Sequence, residues 1–412
     1  MTGTFQHMIE RGALGTINGA LRATRIQQGD LTVDGLLELA QSRIGLSDVG
    51  DPSYIDRLGL TIDCLEGGSP LTPIGRMSAH ILHRWHLMNR LRIVDSLKKD
   101  PTIEQRKIEK PIFIVGWFRT ATTSLHNLLS LDPQHRAPEC WELCYPAVEV
   151  DDPQRDYRRR FNRLQNKFRL ADVVGPEQKY AHELRAENLE ECFFLMANSA
   201  VNLQQIMGMG GYQYARELLK EDMTQVYKEL KQQYQLLDSQ RPGSQWVMKC
   251  PYHLWHLDDL LKAFPDARII HTHRTAVKAV PSVCSLSGIM SKPFVKDFSP
   301  ERHGAFFKEF CREGIDRAMK VRPTLPSEQL VDVRLDDLND DPEGTLRSIY
   351  EHFDLEWDEA EMPQRIQAHL ASEDLRARKM SGRHKYTAEQ FGLTREELRS
   401  EFEDYESMFI DD

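Results

Sequence analysis

Apolar residues recur at helical spacing through the first hundred positions. Leu36, Leu37, Leu39 and Ala40 share one face of a short helix that starts after Asp34. A longer pattern from about 74 to 97 carries Ile81, Leu82, Trp85, Leu87, Met88, Leu91 and Val94 on its apolar side. No strand-like alternation interrupts them, so residues 1–108 are predicted to be a helical N-terminal region. Pro101 and the charged stretch 104–110 close it. The pattern changes at Pro111. The run Pro111-Ile112-Phe113-Ile114-Val115-Gly116 is short, continuously apolar and ended by glycine, as expected of a strand buried on both faces. Gln245-Trp246-Val247-Met248, Ala267-Arg268-Ile269-Ile270-His271 and Leu330-Val331-Asp332-Val333-Arg334 read the same way, with helical patterns at 254–263 and 342–353 between them. Strands alternating with helices predict an α/β domain over 109–412, a P-loop-like parallel sheet flanked by helices. The strand-free stretch 150–240 reads as a helical insertion. Near the end, Thr387-x-x-Gln390 and Thr394-x-x-Glu397 both fit capping boxes, the second opening a helix with Leu398, Phe402 and Tyr405.

The first strand runs into Gly116-Trp117-Phe118-Arg119-Thr120-Ala121-Thr122-Thr123-Ser124-Leu125, followed by apolar Leu128 and Leu129. A strand, a tight loop and a helix N-terminus leave backbone N–H groups aimed at one spot, where the helix dipole adds positive potential. Three hydroxyls and the Arg119 guanidinium add donors. Against the frame G-x-x-x-x-G-K-[ST], Gly116 and Thr123 fit the ends. Ala121 stands at the second glycine and Thr122 at the lysine that grips ATP phosphates. An ordinary capped turn would use the same residues. A second candidate anion site is Arg274, at the end of the third long strand, with Ser282 eight residues on, two turns into the next helix. A third basic cluster is Arg376, Arg378, Lys379, Arg383 and Lys385, with Gly382 inside it. It fits either a solvated face or a loop folding over an anion.

Composition narrows the partners. The chain has 412 residues, 53 Lys plus Arg against 63 Asp plus Glu, and a net charge of −10. That balance argues against a nucleic-acid coat, while a small anion needs only a local basic pocket. Seven widely spaced cysteines without a CxxC do not form a disulfide framework. No basic segment followed by an apolar run opens the chain, and the longest uncharged stretch, 192–215, is too polar to span a membrane. The expectation is a reduced, cytoplasmic, soluble protein with no transmembrane segment. His80, His83 and His86 step by three along one helix, but that spacing drifts around the axis without a carboxylate, so no metal is expected. Nothing in the composition reads out oligomeric state.

These features, in this order, resemble the sulfotransferase family that uses 3′-phosphoadenosine 5′-phosphosulfate (PAPS), in its bacterial branch with an N-terminal helical region. Residues 111–123 are similar to that family's 5′-phosphosulfate loop. Arg274 with Ser282 is similar to its 3′-phosphate motif, and Gly382–Tyr386 to its C-terminal phosphate contact. Trp246-Val247-Met248-Lys249-Cys250-Pro251-Tyr252-His253 resembles the strand that carries a catalytic lysine or histidine. Phe264-Pro265-Asp266-Ala267 and Val333-Arg334-Leu335-Asp336-Asp337-Leu338 fit the same branch. Two positions depart from the pattern: Ala121, where many members have glycine, and Thr275-Ala276, where many have Asp-Pro. The resemblance implies that Gly116, Arg119, Thr120, Ala121, Thr122 and Thr123 hold the phosphosulfate. It implies that Arg274, Ser282, Arg383 and Lys385 bind the 3′-phosphate, and that Lys249 neutralises charge near the bridging oxygen. His253 becomes the first choice of general base, with Glu139, Glu142 and His182 as others. The implied acceptor is a hydroxyl of a small or lipid-like molecule; Phe193, Phe194, Met196, Met207 and Met209 read mostly as core residues, with some of them available to line an apolar pocket for it. The competing readings are a P-loop kinase-like phosphotransferase and a non-catalytic nucleotide-binding protein.

Overall fold

A computed structural model describes residues 31–68, 70–174, 184–379 and 386–410. Among them, five strands form one parallel sheet: β1 Ile112–Gly116, β2 His135–Arg136, β3 Gln245–Lys249, β4 Arg268–His273 and β5 Leu330–Arg334, in the order β2-β3-β1-β4-β5. All four expected strands are present. The fifth, β2, has two residues at the sheet edge beside Gln245 and Trp246, too few to leave an apolar run in the sequence. β1 lies between β3 and β4, with Ile114 opposite Lys249 on one side and Gly116 opposite Thr272 on the other. Its alternation divides the interior. Ile112 and Ile114 pack with Leu125, Leu128 and Val247, whereas Phe113 and Val115 face Met248, Ile269 and the larger aromatic core. Burial on both faces is why β1 is apolar at every position.

The described part of the N-terminal region is helical: α1 Val33–Ile44, α2 Ser53–Gly67 and α3 Pro73–Lys99. Thr32 and Thr72 cap α1 and α3 by accepting from the N–H groups of Gly35 and Gly75, and Pro73 sits at the first position of α3. The helix after the first loop is α4, Thr122–Leu129. The stretch 150–240 holds α5 Pro153–Val174 and α6 Thr224–Gln240 with shorter turns between them. α3 meets this stretch where the Asn89 Nδ2 donates to Asn198 Oδ1 at 3.1 Å. Beyond β3 come α7 Leu257–Ala263, α8 Ala276–Ser291, α9 Pro300–Val321, α10 Pro342–His352 and α11 Met362–Lys379.

The C-terminal helix is divided where the sequence predicts a single one. α12 Arg395–Glu401 ends at Phe402 and α13 Glu403–Phe409 begins after it. The break turns the Phe402 ring onto Trp117, 5.1 Å between centroids, so a buried aromatic contact outweighs helix continuity. Both capping signals are realised. Gln390 accepts from the Thr387 N–H, and Thr394 Oγ1 accepts from the Glu397 N–H.

Candidate active site

The order of the sheet fixes where a ligand fits. After β1 the chain crosses to the edge strand β2 and comes back inward to β3 on one side, then passes to β4 and β5 on the other. The crevice at the carboxyl end of β1 is therefore the switch point at which open α/β sheets bind ligands.

Gly116 ends β1 under tight constraint. A Cβ there would lie 2.4 Å from Thr272 Oγ1 and 2.8 Å from the Thr272 carbonyl oxygen, so no larger residue fits. Thr120 Oγ1 lies 2.7 Å from Thr272 Oγ1 and donates to the Trp117 carbonyl, tying the loop to β4. Arg119 and Ala121 both have positive φ, 70° and 67°. These left-handed residues curl the backbone into a concavity, and Ala121 precedes α4 without a side-chain cap, leaving the first-turn amides of Thr122, Thr123 and Ser124 open toward it. A left-handed alanine is strained, which accounts for glycine at this place in similar loops.

The second basic segment reaches the same crevice. Arg274 follows β4 and its Nη1 donates to the Arg119 carbonyl oxygen at 2.9 Å. In return the Arg119 Nε donates to Ser282 Oγ, on α8, at 3.1 Å. Burial lowers the Arg119 pKa from its ordinary value, and the neighbouring Arg274 charge acts in the same direction. Arg274 Nε is enclosed without a partner. Two adjacent guanidiniums with a spare buried donor are suited to an anion. Arg383 and Lys385 lie outside the described residues. Tyr386, the residue after them, is close enough to bear on the charge of Arg119.

Lys249 ends β3 on the opposite flank. It is fully buried, and its Nζ donates to Glu191 Oε1 at 2.7 Å and to Thr123 Oγ1 at 3.2 Å. Burial works against its charge, but Glu191 and Glu190 outweigh that and hold its pKa above the ordinary value. Glu191 is the residue that sequence reasoning missed. The only signal is a pair of acids, Glu190-Glu191, set directly before the apolar run Cys192-Phe193-Phe194-Leu195-Met196.

A cavity of about 320 Å³ opens beside these groups, with Lys249 and Ser282 behind its lining. Arg119, Ala121, Thr122, Thr123, Arg274 and Glu191 form its polar end. Phe193, Phe194, Leu203, Met207, Leu286 and Met290 supply an apolar wall. Of the group read mostly as core, Phe193, Phe194 and Met207 line the cavity, whereas Met196 and Met209 are buried elsewhere in the core.

The described general-base candidates lie outside the cavity lining. His253 lines no part of the cavity. The 3₁₀ turn Pro251–His256 points it inward, fully enclosed, edge-on to Phe113 at 5.4 Å, with Nδ1 2.9 Å from the Tyr227 hydroxyl. Burial lowers its pKa to about 3. Glu142 is buried too, spent on an ion pair with Arg136 and on accepting the Glu139 N–H at 2.8 Å. Glu139 accepts from Trp141 Nε1 at 2.7 Å. His182 lies outside the described residues. The structural role of His253 is testable. His253→Ala is expected to cost roughly 2–4 kcal/mol of stability, by opening a cavity and stripping the Tyr227 hydroxyl of its partner. The kcat of the folded variant should stay within a few-fold of wild type. Unchanged melting with a hundred-fold loss of kcat would instead make it the base.

His83 and His86 are buried and driven neutral by burial, to about 3 and about 4. The described residues group His271, His273 and Asp332 as one cluster of ligand-type atoms. Arg322 already donates to both Asp332 oxygens at 2.8 Å, and its Nη1 donates to His271 Nδ1 at 2.9 Å. A cation there would have to displace a guanidinium. All seven cysteines are buried thiols. No described helix is long and apolar enough to cross a membrane.

A phosphate-type loop without its lysine, a second arginine across the crevice and a buried lysine at the third strand define a group-transfer enzyme working on an anionic donor. The profile of the sulfotransferase family matches residues 111–359, more than half of the chain, and the chain belongs to that family. It is a sulfotransferase. Among curated proteins it is 25% identical over 274 residues to omega-hydroxy-beta-dihydromenaquinone-9 sulfotransferase Stf3 of Mycobacterium bovis and Mycobacterium tuberculosis, covering 64% of this chain and 67% of that protein. Among solved structures it is similar to sulfotransferase STF1 from Mycobacterium tuberculosis H37Rv, with a TM-score of 0.80 and 29% identity over 91% of this chain and 99% of that one. STF9 from Mycobacterium avium gives 0.82 and 27%, over 93% and 98%.

Proposed function

We propose that this sulfotransferase takes its sulfuryl group from PAPS and delivers it to a hydroxyl of an apolar, lipid-like acceptor. The observation that carries the donor reading is the interlocked pair Arg119 and Arg274, each tied to the other's segment, with the Arg274 Nε left without an acceptor. One guanidinium belongs to the loop suited to the 5′-phosphosulfate. The other, with Ser282, suits the 3′-phosphate and would select PAPS over ATP. The open amides and hydroxyls at Thr122 and Thr123 supply further donors to the leaving phosphate. Arg383 and Lys385 complete the 3′ side in this reading.

In the reaction the acceptor oxygen bonds to sulfur while the bond from sulfur to the 5′-phosphate oxygen breaks. The nucleotide leaves as the 3′,5′-bisphosphate. The acceptor proton passes to Glu191, the one carboxylate among the described residues lining the cavity. Lys249 stabilises the charge that builds on the departing oxygen, its reach set by Thr123. The apolar wall and the lipid acceptor named for Stf3 both favour an acceptor with a large apolar skeleton. A kinase-like reading is disfavoured because Thr122 stands where the phosphate-gripping lysine belongs, and Glu191 is already engaged by Lys249. The test is transfer of labelled sulfate from PAPS to a panel of apolar alcohols, phenols and sterols, with and without EDTA. Turnover that survives EDTA is expected. ATP consumption requiring Mg²⁺, or nucleotide binding without any transfer, would overturn the proposal.

A further inference from the structure

Among the described residues, the apolar wall of the cavity is interrupted by one amide, Gln204. Its orientation follows from a chain of hydrogen bonds anchored on two backbone carbonyls. Asn89 Nδ2 donates to the Cys144 carbonyl at 2.8 Å, which fixes which end of the Asn89 amide is the donor. The same Nδ2 donates to Asn198 Oδ1 at 3.1 Å. On the other side, Gln233 Nε2 donates to the Glu229 carbonyl, so Gln233 Oε1 is free to accept from Asn198 Nδ2 at 2.9 Å. Both neighbours therefore make Asn198 Oδ1 an acceptor. His86 Nδ1 lies 3.3 Å from that oxygen and must carry the proton. Burial keeps the ring neutral, so the other nitrogen, Nε2, is a bare lone pair.

Gln204 lies against that ring. The Gln204 amide is within hydrogen-bonding reach of the ring, yet His86 Nε2 and Gln204 Oε1 are both buried and make no well-formed bond, as expected when the ring proton sits on Nδ1 and both atoms are acceptors. One rotation of the amide resolves both: its NH₂ turns to His86 Nε2, and its carbonyl oxygen turns to the cavity. A lone acceptor among Phe193, Phe194, Met207 and Met290 is costly to cover with hydrocarbon and is satisfied only by a donor.

We propose that Gln204 is a specificity-determining residue, its carbonyl oxygen selecting an acceptor that carries a second hydrogen-bond donor, such as a second hydroxyl, on an otherwise apolar skeleton. His86, Asn198 and Asn89 are positioning residues that aim it. The inference rests on the apolar-acceptor reading above and adds a polar point to it.

The experiment is calorimetric binding to enzyme preloaded with 3′-phosphoadenosine 5′-phosphate. It uses straight-chain α,ω-diols and matched mono-ols of six to ten carbons, in wild type and Gln204→Leu. For at least one length, the diol-to-mono-ol affinity ratio should fall about ten-fold or more in the variant, through loss of diol binding, while nucleotide affinity is unchanged. Binding of both classes with the same ratio in the two proteins overturns the role of Gln204 and leaves the apolar-acceptor reading standing. No binding of either class to wild type removes both. A second measurement needs no variant: in protein labelled with ¹⁵N-histidine, His86 should show the Nδ1–H tautomer, and an Nε2–H tautomer would overturn the amide orientation.

Discussion

Glu191→Gln is expected to lower kcat by about 10²–10⁴-fold while affinity for the donor nucleotide stays near that of wild type. The substitution keeps the shape of the side chain and its contact with Lys249, made at 2.7 Å. It removes the capacity to take a proton, and with it one of the two acidic charges that keep Lys249 protonated. Glu191 lines the cavity together with Thr123 of the phosphate loop and Phe193 and Phe194 of the apolar wall. It is also joined through Lys249 to Thr123 in the phosphate loop. Lys249 remains charged because the two acids beside it outweigh its burial, so it can follow the charge that develops on the leaving oxygen. Steady-state kinetics at saturating donor, paired with calorimetry of the bisphosphate, separates the two effects. A variant that turns over like wild type would move the base elsewhere. One that loses nucleotide affinity in proportion to rate would make Glu191 a structural partner of Lys249.

The second large effect concerns the donor. Arg274→Ala should weaken binding of 3′-phosphoadenosine 5′-phosphate by roughly 10–100-fold, the worth of a charge-assisted hydrogen bond to a buried phosphate. Adenosine 5′-phosphate, which lacks the 3′ group, should lose little. The contrast matters because Arg274 also donates to the Arg119 carbonyl, so a general loosening of the loop would harm both nucleotides alike. Equal losses in calorimetry would therefore assign Arg274 to loop support and remove it from 3′-phosphate recognition.

Much of the architecture was legible because it depends on local pattern. β1 is apolar at every position because it is covered on both faces, and the strand, glycine and hydroxyl-rich helix start sit in one contiguous segment. The eight-residue step from Arg274 to Ser282 is likewise local, and the structure brings both to Arg119. What could not be read depends on tertiary placement. β2 exists only because two residues happen to lie beside β3. Glu191 becomes relevant through contact with Lys249, 58 positions along the chain. His253 looks suitable in the sequence because it follows Lys249 closely and titrates near neutrality when exposed. The turn that contains it faces the core, where Phe113 and Tyr227 claim it. Glu142 fails for a similar reason, since Arg136 takes its charge before any substrate can.

The account turns on one crevice that holds both phosphates of a single adenosine nucleotide. The most direct measurement is calorimetric affinity of the wild-type protein for 3′-phosphoadenosine 5′-phosphate against adenosine 5′-phosphate and ATP, in the presence of EDTA. The 3′,5′-bisphosphate should bind at least about 100-fold more tightly than either of the others, as expected of two charged donor sets acting on opposite ends of one ligand. Equal affinity for the bisphosphate and the monophosphate, or tighter binding of ATP, would contradict it.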